Sequence, residues 1–343
     1  MADLYLADEM FGSLLPYIRD EQITDINYNG RTLWVDHLKK GRYCVNSYVA
    51  DHGFLNRFSM RLANLMNRSF NQYEPLLEAE TEDLRISIIH ESVTGTGRSI
   101  SIRKTPAVRR LNRRKMIESG YCSRELDIFM CNSVKAGFTV MAAGLPGAGK
   151  TEYLKALTAY IPADKKVITV EDNLEIRYCS MNPEKDGMEI KVGSTFSYSQ
   201  AIKACIRQLP GWLILSETRS SEVEYLLESM STGISCMTTI HTDDVRKIPD
   251  RICNMMKKDV SAEVHSFLDI GVLIGCYMIP GKGIFRRVEQ AALFDREDGI
   301  NTISVFYENG QMNKPELTEG MKRKFRFAGI SDPFSEGGHG ESI

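Results

Sequence analysis

The pattern of apolar and polar positions changes character partway along the chain. Over the first hundred residues, short β-like runs alternate with polar turns. Residues 23–28 and 32–36 are two such runs, and Asn29-Gly30 between them predicts a hairpin because both residues tolerate positive φ. Residues 54–66 carry Phe54, Phe58, Leu62 and Leu65 at three- and four-residue spacing, which predicts a helix. Residues 84–89 and 98–103 predict a second strand pair across the turn-rich Thr94-Gly95-Thr96-Gly97.

Farther on, strand-like and helix-like runs alternate. A helix is expected from Ser123, a good N-cap, to Ala136, with Gly137 placed to close it. Strands at 138–143, 167–170, 212–215 and 236–240 then interleave with helices at 150–161, 199–209 and 221–230. Such alternation predicts a parallel sheet covered by helices. Further strands are expected at 272–278, 288–294 and 302–307. The expected fold class is therefore α/β with a parallel-rich sheet, preceded by a smaller α+β domain. Its divisions fall at 1–104 for the first domain, 105–118 for a basic linker, 119–330 for the second domain and 331–343 for a frayed, flexible tail.

Length and composition agree with two folded domains: 343 residues, 43% hydrophobic and 26% charged, exclude a disordered or fibrous chain. A formal net charge of −2 removes the overall basic bias of a dedicated nucleic-acid binder. The eight cysteines contain no Cys-x-x-Cys pair and read as buried thiols of a reducing cytoplasm. Asp3, Asp8 and Glu9 at the start argue against a signal peptide. The longest apolar stretch, 267–280, is interrupted by Asp269 and is shorter than the roughly 20 residues that span a bilayer. No direct membrane span is expected, so at a membrane another protein would have to hold the chain. The average charge hides a run from Arg103 to Lys115 that also holds Lys104, Arg109, Arg110, Arg113 and Arg114 without an acid. This run is either a solvated linker or a set of cations facing a polyphosphate.

Gly144-Leu145-Pro146-Gly147-Ala148-Gly149-Lys150-Thr151 fits Gly-x-x-x-x-Gly-Lys-Ser/Thr between an expected strand and an expected helix. In such a loop the backbone N–H groups of Gly144, Gly147, Ala148 and Gly149, and of the helix start through Glu152, surround phosphates. Lys150 reaches the β- and γ-phosphates, and the Thr151 hydroxyl ligates Mg²⁺. Two apolar runs end in acids, 167–170 in Glu171-Asp172 and 212–215 in Ser216-Glu217, which delivers carboxylates to the edge of a parallel sheet where ligands bind. Glu171 and Glu217 can hold Mg²⁺, directly or through water, or polarise an attacking water. His241, after the run 236–240, is either structural or a group at the sheet edge that senses the γ-phosphate or positions the attacking water.

These segments resemble the type II/IV secretion ATPase family, hexameric motors of secretion, conjugation and pilus assembly, and most nearly the tight-adherence pilus branch. Ile168-Thr169-Val170-Glu171-Asp172 matches the family's acidic box, with Glu175 just beyond. Ile206-Arg207-Gln208-Leu209-Pro210-Gly211, Ser216-Glu217-Thr218-Arg219 and Thr239-Ile240-His241 follow in the family's order. Ile23-Thr24-Asp25-Ile26-Asn27-Tyr28-Asn29-Gly30 and Ser101-Ile102-Arg103-Lys104 resemble the opening and the end of its N-terminal domain. The resemblance covers roughly residues 15 to 295 and implies a RecA-like ATPase domain after a mobile N-terminal domain, with ATP between them near a subunit boundary. It raises Arg85 and Arg103 to candidate phosphate contacts from the N-terminal domain and adds Arg219 as a further candidate in the ATPase domain.

The chain departs from the family at Ser216 in place of Gly, Glu152 in place of a second hydroxyl, Gly211 in place of Asp, and a reduced Thr232-Gly233-Ile234-Ser235. None of these removes Lys150, Thr151, Glu171, Glu217 or His241. The resemblance implies a Mg-dependent, hexameric ATP hydrolase that acts on an inner-membrane platform protein from the cytoplasmic face. Nucleic acid is an unlikely partner. A nucleic-acid-linked or conjugative motor and a non-hydrolysing nucleotide-binding scaffold stand as alternatives.

Overall fold

The computed structural model describes residues 6–49, 51–218, 222–280 and 283–336. The chain forms two compact units, Met1–Ala107 with Tyr277–Phe285, and Val108–Cys276 with Arg286–Ile343.

The first unit runs α1 (Leu15–Arg19), β1 (Ile23–Tyr28), β2 (Leu33–His37), β3 (Gly41–Cys44), α2 (His52–Leu65), β4 (Leu76–Glu80), β5 (Leu84–Ile89) and β6 (Ser99–Lys104). The strands make one antiparallel sheet in the order β3-β2-β1-β6-β5-β4. Period-2 alternation sends Ile26, Tyr28, Val35, Ile86, Ile88, Ile100 and Ile102 into a core closed by Phe54, Phe58 and Leu62 of α2. The expected β1–β2 hairpin forms, and Gly30 at its turn has φ +92°, where an added Cβ would meet the Thr96 carbonyl oxygen at 2.5 Å. On the opposite face one row of residues, Arg42, Asp36, Asp25, Arg103, Arg85 and Glu80, crosses all six strands in register.

The second unit opens with α3 (Arg113–Glu118) and α4 (Arg124–Lys135), followed by β7 (Val140–Ala143), α5 (Lys150–Leu157), β8 (Val167–Glu171), α6 (Tyr178–Met181), β9 (Gly187–Lys191), α7 (Tyr198–Ile206), β10 (Trp212–Leu215), α8 (Glu222–Ser231), β11 (Ser235–Ile240), α9 (Ile248–Met256) and α10 (Ser261–Phe267). It closes with β12 (Ile270–Ile279), β13 (Gly283–Glu297), β14 (Ile300–Glu308), β15 (Gln311–Met312) and α11 (Glu319–Phe327). Its sheet order is β15-β14-β13-β12-β7-β11-β10-β8-β9, with β12 through β9 parallel and β13, β14 and β15 an antiparallel extension.

Both faces of this sheet are covered, which is why its central strands read as continuous apolar runs. Val140, Ala142, Trp212 and Ile214 join one core with α4, α5 and α11, while Met141, Ala143, Leu213 and Leu215 join the other with α7, α8, α9 and α10. Asp269, just before β12, accepts the Thr139 N–H at 2.7 Å and pairs with Lys324 Nζ at 2.6 Å, tying α11 to the start of β7.

The α/β class and its smaller preceding domain are as the sequence predicts; several details differ. The expected helix 150–161 is α only to Leu157 and tightens to a 3₁₀ turn over Thr158–Tyr160. The basic run is more than a linker. Asn112 caps α3 by accepting the Lys115 N–H, and Met116 is buried. The expectation of a frayed tail is corrected for residues 331–336. The Phe334 ring stacks on Phe129 at 5.0 Å, Asn132 donates to the Pro333 and Ser335 carbonyls, and Glu336 pairs with Arg113 and Arg124. Residues 337–343 of that expected tail lie outside the described residues.

Candidate functional site

The phosphate-loop motif occupies the turn from β7 into α5, at the carboxyl end of the parallel strands. Gly144 has φ +152°, and a Cβ there would fall 2.7 Å from the Ile274 carbonyl oxygen, so the loop passes where only glycine fits. Gly149, left-handed at φ +90°, caps α5 and leaves the first helical N–H groups of Lys150 and Thr151 facing out of the helix end. Thr151 is half-buried in this first turn.

The Lys150 side chain is buried and turns back over its own loop. Its ammonium donates to the carbonyls of Gly144 at 3.0 Å and Leu145 at 3.3 Å and lies 3.2 Å from His241 Nδ1. Burial lowers the Lys150 pKa to about 8, while the Glu217 carboxylate pulls it back upward. His241 Nε2 in turn sits 2.8 Å from Glu217 Oε1. Because the ammonium can only donate, Nδ1 accepts and Nε2 carries the proton toward Glu217. Burial and the neighbouring Lys150 hold the His241 pKa below its ordinary value, consistent with that neutral tautomer. The three residues thus form one hydrogen-bonded chain from the phosphate loop to the end of β10.

The backbone beneath this chain is laced together. Thr218 donates through both its N–H and its Oγ1 to the Thr239 carbonyl, each at 2.9 Å, and Thr239 Oγ1 donates to the Ser216 carbonyl at 2.8 Å. The ends of β10 and β11 therefore fix Glu217 and His241 relative to each other.

Glu171 ends β8 but turns inward. It is fully buried, and its Oε2 accepts the N–H groups of Glu175 at 2.9 Å and Ile176 at 3.0 Å. Burial pushes its pKa up to about 7, against the lowering effect of those two amides. Glu152, one residue past Thr151, faces Lys155 and Arg110. Arg85 and Arg103 belong to the first unit, directly opposite each other on β5 and β6, with Arg103 Nε 2.7 Å from Asp25 Oδ1. Arg219 lies outside the described residues.

One site residue was not foreseen. Arg286 on β13 donates from Nε to the Gly147 carbonyl at 3.2 Å, and its Cδ lies where a Cβ on Gly149 would meet it at 3.4 Å. It is far from the motif in sequence, and the strand expected at 288–294 stopped short of it. The apolar pair Ile284-Phe285 just ahead of it is the one local signal of a strand there.

Fold and loop together define a RecA-like P-loop nucleotide-binding unit. The sequence profile of the family described as type II/IV secretion system protein matches residues 74–272, and the chain belongs to that family. An uncharacterised protein of Bacillus anthracis is 26% identical over 257 residues, covering 74% of this chain and 58% of its own length. The type IV secretion system protein VirB11 of Bartonella henselae is 26% identical over 178 residues, covering 47% of this chain and 49% of its own. The crystal structure of the ATPase DotB of Yersinia pseudotuberculosis superposes with a TM-score of 0.64 at 14% identity, covering 84% of this chain and 80% of that one, and shows the shared fold. The chain spans about half the length of the curated relatives it matches. Among the described residues no helix is long and apolar enough to cross a membrane.

Proposed function

We propose that this chain is the ATP-hydrolysing motor of a secretion or pilus machine. The observation that carries the reading is the hydrogen-bonded chain Lys150–His241–Glu217, which sets a charged lysine and a carboxylate on either side of an imidazole at a phosphate-binding loop. Lys150 exchanges its contacts with the Gly144 and Leu145 carbonyls for the β- and γ-phosphate oxygens of ATP. Glu217 accepts a proton from the attacking water as the new P–O bond forms and the bond to the ADP oxygen breaks. His241, linked to both, positions Glu217 and registers whether Lys150 is engaged. Arg286 adds a cation beside Gly147, and Arg219, Arg85 and Arg103 are the remaining candidates for phosphate contacts.

The described residues contain no cluster of three or more acidic, His or Cys side chains that could hold a metal alone. That fits Mg²⁺, which commonly binds through one or two protein groups plus substrate phosphates and water. Thr151 would ligate it directly and Glu217 through water, and bound Mg²⁺ supplies charge neutralisation on the phosphates. Glu171, with one oxygen committed to two amides, serves here to shape the loop after β8.

The same reading makes the chain one subunit of a hexamer that works at the cytoplasmic face of the inner membrane on a platform protein, as the resemblance to the family implies. Hydrolysis then drives rigid-body movement of one unit against the other. The test is phosphate release by the purified chain with and without Mg²⁺, alongside native mass measurement. Mg-dependent turnover that rises with oligomer formation and is abolished in Lys150→Ala is expected; turnover unchanged by that substitution would overturn the proposal.

A further inference from the structure

Glu152 places an acid in the first turn of the helix whose N-terminus receives the phosphates. Such a helix end attracts anions, so a carboxylate already there opposes an incoming triphosphate unless a cation offsets it. Two cations do so. Glu152 Oε1 lies 3.2 Å from Lys155 Nζ and 3.6 Å from Arg110 Nη1. Its Oε2 is buried and has no hydrogen-bond partner among the described residues, so these two cations are what offsets the carboxylate. Lys155 belongs to the helix itself. Arg110 comes from the basic segment ahead of α3, and its neighbour Arg109 is fixed to the same helix, donating to the Lys155 carbonyl at 3.2 Å and to Asn182 Oδ1 at 2.9 Å. The segment is therefore stitched to the phosphate-binding helix at two successive residues.

We propose that Arg110, acting through Glu152, is a positioning residue that couples the docking of this basic segment to nucleotide affinity. With Arg110 docked, Glu152 is offset and the helix end accepts phosphates; with Arg110 displaced, Glu152 repels them. Binding linkage is reciprocal, so bound nucleotide holds the segment down by the same factor. This inference rests on the nucleotide-binding reading of the site. It gives the basic run a role in affinity without any direct contact to phosphate.

The experiment measures ADP affinity of the full chain by calorimetry for the parent, Arg110→Gln, Glu152→Gln and the double variant. Arg110→Gln weakens ADP binding by about tenfold in the parent, and by less than about twofold when Glu152 is already Gln. A purely structural role for Arg110 would instead give the same loss in both backgrounds, which overturns the proposal. Trypsin cleavage after Arg110 in the parent supplies a readout independent of any variant. Saturating ADP slows it by about tenfold if the segment is coupled, and an unchanged rate overturns the coupling. A parent that binds no ADP overturns the nucleotide reading itself, a result distinct from either of these.

Discussion

Lys150 gives the sharpest prediction because its charge is held close to the point of loss. Burial brings its pKa from 10.5 to about 8, with Glu217 opposing the fall. The protonated form is the one that binds phosphate, and it is the dominant form below this value. About nine-tenths of the free protein carries the charge at pH 7 and about one-tenth at pH 9. If only the charged form binds, ADP affinity of the free protein falls by about thirtyfold between about pH 7 and about pH 9.5. The assay is a titration of ADP at a series of pH values in constant salt. Lys150→Arg, which stays charged throughout, flattens this alkaline limb. Glu217→Gln moves it to lower pH by removing the carboxylate that supports the ammonium. A flat profile in the parent, or an unaltered limb in Lys150→Arg, refutes the assignment.

Two further predictions concern stability. Glu171 has a folded-state pKa raised from 4.5 to about 7, so the folded chain binds the extra proton between those values and loses stability as pH rises through them. Glu171→Gln removes that loss while retaining an acceptor for the Glu175 and Ile176 amides, and its stability relative to the parent rises by about 3 kcal/mol across this window. Urea unfolding at several pH values checks it; a pH-independent difference contradicts it. Asp269→Ala strips the Thr139 amide and Lys324 of their acceptor, and a loss of about 2 to 3 kcal/mol in the second unit follows. A change under about 0.5 kcal/mol in urea unfolding would show that water replaces those bonds at no cost.

The sequence displayed the second unit well because its central strands are buried on both faces and punctuated by glycines and acids, a pattern local to each segment. Elements whose stability comes from remote partners were hidden. β9, Gly-Met-Glu-Ile-Lys, is only half-buried and gains its place by pairing with β8, and α11 is mostly charged, with only Met321 and Phe325 buried. The segment Tyr277–Phe285 sits inside a strand pair of the second unit yet belongs to the first, where the Ile284 N–H donates to the Lys39 carbonyl at 2.7 Å. No composition shift marks that excursion. Neither does anything local mark the tail segment, whose Phe334 finds Phe129 two hundred residues away in the chain.

At the candidate site the motif gave residue identities, and their geometry came only from the structure. Lys150, Glu217 and His241 could each be picked out by position after a strand or loop. That the imidazole bridges the other two depends on the threonine lacing between β10 and β11. The inward turn of Glu171 was equally illegible, because a carboxylate at a strand end can face the ligand edge or cap the following loop, and its residue type is the same in both cases. Arg286 approaches from a strand the motif does not include.

The proposed role of Glu217, held by His241, is to act on the water that attacks ATP bound at Lys150. It is tested most directly by single-turnover hydrolysis of labelled ATP, with bound nucleotide measured in parallel. The parent is expected to hydrolyse its bound ATP, while Glu217→Gln binds ATP comparably and hydrolyses it about a hundredfold or more slowly. A parent that holds ATP intact, or a Glu217→Gln variant that hydrolyses at the parental rate, would contradict it.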